Sequence, residues 1–427
     1  MGFDLVSVTS VVKARAVMLA WTGVLLAVSR LGVGFGPGAQ PEEVFNVSTP
    51  SKCHSSVWVG TDTDPDAVFF TTLEPSTLVY RVDGRTGHVV WQVSMGGGRN
   101  GMRCSPVVSK GLLHIGTDNG TFAALDAETG ARVWSLTPPV TTPAIVCYDK
   151  YYPPPTGRPC EVYSTALLHG GYRFQGSEDN NTRCFNASTG ALLWTRQAGA
   201  DVDGTAVVGV PGSNTIWIGA DDGLLYNLDM ATGKDVLPPV QHCGTLESMP
   251  AVDAAKGILF SMCRERTPAV EESAPSAPAV GKVFALDMRT GKYVWNISCA
   301  GGGVPIYVPE SNSIYVAGEN GTVFAADAST GSLLWAKRLL PLARFMGPFV
   351  YDSQRNLLYG ANFNGYVYAL DAGSGAVVWR FEVHTPKNPF IPVPLGARIS
   401  ADFSKLYFAA YDRALHALDL GQQQQQH

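Results

Sequence analysis

Charge is scarce in this chain, and positive charge is the scarcer sign. Only 16% of its 427 residues are charged, and 31 Lys and Arg stand against 36 Asp and Glu, a formal net charge of −5. No stretch reads as a basic patch, which excludes the electrostatic footprint of a nucleic-acid-binding protein. The eight cysteines include no adjacent Cys-Cys pair, no CxxC and no Cys/His spacing of a zinc site. Long apolar runs are also missing. The one candidate, "AVMLAWTGVLLAV" at 16–28, is too short to span a bilayer comfortably and is interrupted by Arg30.

That run has another reading. Lys13 and Arg15 precede it, and "GVGFGPGAQ" (32–40) offers small residues for cleavage. Residues 1–40 therefore read as a signal peptide or targeting segment, with a signal anchor or an organelle transit peptide as alternatives. Val6 stands where a myristoylation site needs Ser or Thr. Six N-x-S/T sequons, at Asn46, Asn119, Asn180, Asn186, Asn296 and Asn320, fit a secretory route. So does an even number of cysteines, which allows disulfides. Cys147 and Cys160 flank a Pro-rich loop whose ends a bridge would tie; the others cannot be paired from spacing. The expected location is secreted or lumenal, with no membrane span in the mature chain.

What is abundant is glycine (46) and a repeated frame. "ALDAETGARVW" (124–134) recurs with its Trp at Trp91, Trp134, Trp194, Trp295, Trp335 and Trp379; a further copy, "NLDMATGKDVL", has Leu237 instead. The Asp or Asn positions (83, 126, 186, 229, 287, 327, 371 and 419) lie 43, 60, 43, 58, 40, 44 and 48 residues apart. Alternating runs such as "GTVFAA" and "GYVYAL" before each Asp read as strands. Asp-x-x-Thr-Gly reads as a turn, because the carboxylate can accept backbone N–H groups and Gly supplies a left-handed conformation. With two strands upstream, each unit has four antiparallel strands, the signature of a propeller blade.

The frame predicts an all-β, eight-bladed β-propeller over 41–420. The last blade lacks a fourth strand, and "EEVFNV" (42–47) supplies it, with Phe45 standing where other blades carry Trp. The ring is thus expected to be closed by the N-terminal strand, removing an open edge. The Trp positions and Phe45 are expected to fill seams between blades. A low-complexity stretch (267–280) reads as an insertion in the fifth blade, and 421–427 as a disordered Gln-rich tail.

The repeated A-x-D-x-x-T-G-x-x-x-W resembles the tryptophan-docking motif of PQQ-like (quinoprotein alcohol dehydrogenase-like) propellers, over residues 42–420. The resemblance implies the fold but divides on function. Some members are pyrroloquinoline quinone dehydrogenases. Others are non-enzymatic, among them the outer-membrane assembly lipoprotein and the C-terminal propellers of aminoadipate-semialdehyde-dehydrogenase-like acyl-CoA synthetases. The enzymes carry an adjacent Cys-Cys disulfide, which this sequence lacks. Arg103, Asp203, Glu247, Arg344 and Arg398 lie at blade entries, with His54 and His242 nearby, and are expected at the mouth of the central channel. No catalytic set follows from their spacing. The favoured expectation is a monomeric, non-catalytic scaffold with no cofactor, binding a protein or glycan. The alternative is a calcium-dependent pyrroloquinoline quinone oxidoreductase, with Glu247 as metal ligand, Arg103 or Arg344 on the quinone and Asp203 as base.

Overall fold

The structure, a computed structural model, describes residues 41–73, 75–96, 101–138, 160–265, 280–301, 303–383, 392–393 and 395–421. These form eight four-stranded antiparallel sheets. Blade 1 occupies 58–94, blade 2 107–136, blade 3 167–197, blade 4 207–241, blade 5 251–300, blade 6 306–338 and blade 7 350–382. Blade 8 (397–419) takes its outer strand, Glu42–Ser48, from the start of the ring. The first strands are short, and those of several neighbouring blades approach one another, so they line the axis. Second and third strands are buried on both faces, while outer strands alternate. Each seam holds its own apolar cluster, including the seam between blades 8 and 1 where Phe45 and Val47 meet Val68 and Phe70. The ring is closed.

The repeated frame works as one device. In blade 2 the Asp126 carboxylate accepts the Thr129 N–H and hydroxyl, both at 2.7 Å, and Gly130 (φ +73°) donates back to the Asp126 carbonyl. The preceding blade's tryptophan lies on that turn. Trp91 Nε1 donates to the Ala127 carbonyl at 3.2 Å, and Trp134, Trp194, Trp295 and Trp335 donate to Ala187, Met230, Ala328 and Ala372, each at 2.9 Å. Every acceptor is the residue just after the Asp or Asn. Each outer aromatic also meets a ring on its own second strand, as in Phe260–Trp295 at 6.0 Å, Tyr315–Trp335 at 6.0 Å and Phe45–Tyr407 at 6.5 Å. Between the two rings lies a third-strand residue, Ala285, Ala325 or Ala417. In these blades a small residue opening the motif lies between the rings; in blade 1 Arg81 takes that place and Phe69 and Trp91 still lie 6.0 Å apart.

Blade 4 solves the same problem differently. Trp217, Asn227 and Leu237 share one ladder position, and the fully buried Trp217 ring on the second strand reaches toward Gly291, where other blades place an outer Trp. The turn glycines therefore differ in what surrounds them. A Cβ on Gly233 (φ +69°) would stand 2.6 Å from Trp194, whereas one on Gly291 (φ +69°) meets Val240 at 3.3 Å and Leu237 at 3.8 Å. Both would pay the left-handed cost, about 1–2 kcal/mol; only the first adds a ring clash of about 1–3 kcal/mol. Gly233→Ala is expected to lose at least ~1 kcal/mol more than Gly291→Ala in urea unfolding, and equal losses would refute the docking account.

Cys243 and Cys263 form a disulfide that spacing left unassigned, while Cys53, Cys104, Cys184 and Cys299 are free thiols. The Cys147–Cys160 pairing lies outside the described residues at Cys147, as do 1–40, the low-complexity stretch up to residue 279 and all but the first residue of the tail. Of the sequon residues, Asn46 and Asn296 are exposed and Asn119, Asn180, Asn186 and Asn320 half-buried. No helix among the described residues is long and apolar enough to cross a membrane.

Candidate functional site

The Asp-x-x-Thr-Gly turns occupy one face of the disc. The opposite face carries two kinds of loop: turns joining second and third strands, and connections from each outer strand to the next blade. They are stitched together by one repeated bond, in which the leading turn residue donates its N–H to a carbonyl of the connection. Asp118 bonds Gly101 (3.0 Å), Glu178 Glu161 (3.0 Å), Asp221 Asp201 (2.8 Å), Glu319 Gly301 (3.2 Å), Phe363 Arg344 (3.1 Å) and Tyr411 Pro392 (3.0 Å). One repeat position thus carries acids in blades 2, 3, 4 and 6 and aromatics in blades 7 and 8.

This divides the mouth into two arcs. Around blades 7, 8 and 1, Arg344 is exposed and lies 4.2 Å from the centre of the Phe363 ring, an arginine–aromatic contact. Lys52 sits over Tyr411 at 5.2 Å, and His54 packs against the same ring at 5.8 Å. Burial, with Arg103 and Arg344 adding, drives the His54 pKa down to about 3, so the imidazole is neutral. Its Nδ1 is buried with no hydrogen-bond partner among the described residues. Arg398 lies on the first strand of blade 8 and donates to the Ala397 carbonyl (3.2 Å); burial lowers its pKa.

The acidic arc spans blades 3 to 5. Asp203 feels Asp221, Glu247, Asp201 and Glu161, and burial followed by these like charges raises its pKa well above the usual carboxylate range. Glu178 is pushed up to about 10 by burial first, then by Asp203, Glu161 and Asp201. Glu178 therefore holds its proton at neutral pH, and the same two causes bias Asp203 toward its protonated form. Arg103 joins the arcs: its Nη1 meets Glu161 at 2.7 Å and its guanidinium lies 4.7 Å from the Tyr163 ring centre. Arg103 and Arg344 thus come together around His54, and Asp203 comes together with Glu247. His242 is elsewhere, inside the seam between blades 4 and 5, stacked on Phe284.

Sequence reasoning missed Glu161, Glu178, Asp221, Phe363 and Tyr411 at this mouth. The available signal was the constant offset of the turn after the second strand, as in "GTDNG", "GADDG" and "ANFNG". Calcium with a quinone is what the enzymes of this fold would place here, and the donors do not fit it. Among the described residues no three of His, Cys, Asp or Glu are placed to share one metal ion. Burial and neighbouring like charges favour the protonated forms of Glu178 and Asp203, which makes them poor ligands.

A family model described as outer membrane protein assembly factor BamB matches residues 75–237 and 279–420. The chain belongs to this family. The outer membrane protein assembly factor BamB of Yersinia pestis is 22% identical over 65% of this chain and 52% of its own length. A quinohemoprotein alcohol dehydrogenase, ADH-IIG of Pseudomonas putida, is 24% identical over 65% of this chain and 39% of its own. The chain thus spans about half the length, or less, of these relatives. Two solved structures share the fold: BamB from Moraxella catarrhalis (TM-score 0.63, 15% identity, 89% of this chain and 100% of that one) and a quinohemoprotein alcohol dehydrogenase from Comamonas testosteroni (0.64, 12%, 89% and 76%).

Proposed function

We propose that this BamB-family propeller is a non-catalytic binding scaffold of an extracytoplasmic compartment, and that its protein partner docks on the face bearing the channel mouth. The observation that carries this reading is the connection between blades 6 and 7. Leu340 (66% exposed) and Leu342 (44%) point outward beside the exposed Arg344. Their backbone is held still: Arg380 donates to the Leu340 carbonyl at 3.1 Å, Tyr368 to the same atom at 3.3 Å and Asn364 to the Leu342 carbonyl at 3.0 Å. Apolar side chains presented on a fixed loop beside an aromatic-backed arginine have the make-up of a binding hot spot. The Cys243–Cys263 disulfide and the assembly-factor relatives support an oxidising, extracytoplasmic setting. The predicted leader and sequons support entry by secretion.

The dehydrogenase alternative shares the same face and is separated by one titration. Pyrroloquinoline quinone added to the mature protein in calcium is expected to give no binding heat and no thermal shift. Submillimolar binding followed by dye reduction with an alcohol would replace the scaffold reading. On the scaffold reading, Leu340→Asp with Leu342→Asp abolishes capture of the partner from a secretory fraction at unchanged Tm, and undiminished capture would move the docking surface elsewhere.

A further inference from the structure

The six sequons differ in what holds their asparagine. Asn119, Asn186 and Asn320 are half-buried, and their side-chain oxygens accept the N–H of Thr121 (3.2 Å), Ser188 (3.0 Å) and Thr322 (2.9 Å). Asn180 is half-buried at φ +62°. Asn46 is exposed, but its Nδ2 donates to Glu43 at 3.5 Å. Asn296 is exposed, as is Ser298 of the same sequon, and its amide makes no hydrogen bond among the described residues.

Asn296 lies on the outer strand of blade 5, Lys292–Ala300, opposite Phe284. Trp295 pairs with Ala285 and Tyr293 with Leu286, so Val294 is an extra residue, a bulge. The bulge brings Tyr293 to the side of Asn296, toward blade 4, while Trp295 points to the Ala328 carbonyl of blade 6. In the other five Trp blades the residue two before the Trp is never aromatic and the residue after it never Asn. Between Asn296 and the end of the blade 4 outer strand lies a space of about 250 Å³, on the channel-mouth side of the rim. Tyr293, Asn296, Lys282 and Gln241 line it beside the Cys243–Cys263 disulfide. Tyr293 is 44% exposed, yet its ring is held, because the hydroxyl is hydrogen-bonded to His242 Nδ1 and, at 3.3 Å, to the Gln241 carbonyl.

We propose that Asn296 carries an N-linked glycan whose first N-acetylglucosamine lies on the Tyr293 ring within this space. The proposal rests on entry by secretion, one part of the reading above, and not on the position of the docking loop. In the transfer, Nδ2 forms a bond to the anomeric carbon of a sugar carried on a polyprenyl diphosphate. The bond from that carbon to the diphosphate oxygen breaks, its electron pair leaves with the diphosphate, and the amide gives up one proton. The C–H groups on one face of the pyranose are weakly positive and meet the negative face of the phenol ring. Lys282 donates to the sugar oxygens. Gln241 has its Nε2 bonded to the Gly223 carbonyl at 3.2 Å, which leaves its side-chain oxygen to accept a hydroxyl or the N-acetyl N–H. Size agrees: an apolar cavity of about 150 Å³ holds benzene, and about 250 Å³ admits a six-membered sugar ring with its substituents.

The test expresses the full chain in a eukaryotic secretory host and reads the occupancy of each sequon by peptide mass spectrometry. Asn296 is expected to be occupied in most molecules. Asn296→Gln is expected to lower Tm by about 2 °C, and Ser298→Ala, which removes the sequon but keeps the asparagine, to do the same. Enzymatic trimming to the first sugar is expected to leave Tm unchanged, because that sugar makes the contact. In a Tyr293→Ala background occupancy persists and Ser298→Ala no longer shifts Tm, whereas a Tyr293→Phe background retains the shift. Glycans at other sequons with Asn296 bare would overturn this proposal alone. No glycan at any sequon would overturn it together with secretory entry. An Asn296 glycan whose loss shifts Tm equally with and without the Tyr293 ring, or not at all, would overturn the placement of the sugar.

Discussion

Trp134→Ala is expected to cost about 3–5 kcal/mol, the usual loss for truncating a buried aromatic. That is a large share of the 5–15 kcal/mol that holds a typical protein together. The site gives reasons for the upper end. Trp134 is 8% exposed, donates to the Ala187 carbonyl at 2.9 Å and lies near Phe185, with ring centroids 6.3 Å apart. It also shields Arg173, which is fully buried between blades 2 and 3 and lies 5.3 Å from the Trp134 ring centre. That guanidinium is satisfied by the Ala123 and Ile115 carbonyls and by Gln175 rather than by a carboxylate, and burial lowers its pKa to about 9. Removing the indole leaves a cavity beside a buried charge, and water entering there relieves the charge at the expense of the seam. Trp134→Phe is expected to recover more than half of the loss, because it restores the ring but not the N–H bond. Chemical denaturation of the three proteins checks this, and a loss below ~1 kcal/mol for the alanine variant would mean that the seam relaxes around it.

The same seam explains why the fold could be read from the chain. Asp126, Gly130, Ala124 and Trp134 each answer one local requirement: a turn acceptor, a left-handed residue, a gap between rings and a ring over the next turn. Because every blade poses the same requirements, the pattern recurs and the repeats declare themselves. Even the displaced strand was legible, since Phe45 pairs with Ala417 as Trp134 pairs with Ala124 and Trp379 with Ala369. Trp217 was not legible as a docking ring. It reaches the seam from the second strand, outside the repeated frame, so the fourth blade shows only a leucine where a tryptophan belongs. The channel mouth was half legible. Blade entries marked Arg103, Asp203, Glu247, Arg344 and Arg398, but ring closure, not spacing, decides that Arg103 and Arg344 share His54. The contact between His242 and Tyr293 joins residues from two blades, and no motif in either strand announces the other.

Stability is expected to fall by about 3 kcal/mol as pH rises from 6.5 through 9, and the loss is assigned to the closing strand. His416 on the third strand of blade 8 is 6% exposed, stacks on Phe408 with centroids 4.9 Å apart, and faces Asn46 of the closing strand across the ladder. Its Nδ1 meets Glu43 of that strand at 2.5 Å and its Nε2 meets Asp412 at 2.9 Å. Burial disfavours the charged ring, but the bonds to Asp412 and Glu43 outweigh it and raise the pKa from 6.5 to about 9. A group whose pKa is raised by folding stabilises fully below its unfolded value and stops doing so above its folded one, so the loss lies between pH 6.5 and 9. Glu43 is held below the usual carboxylate range by the same bond, so strong acid undoes the pair from the other side. His416→Gln is expected to be weaker than the wild type at pH 6 by a similar amount and nearly flat across that window. Urea midpoints across pH test the size, and amide exchange in Glu42–Ser48 tests the place. If the wild type loses stability with no faster exchange in that strand, the charge acts through Asp412 alone and closure rests on Phe45 and Val47. If exchange and stability change together, one histidine sets the pH above which the ring begins to open, inside blade 8 where strand Glu42–Ser48 pairs with strand Ala414–Asp419.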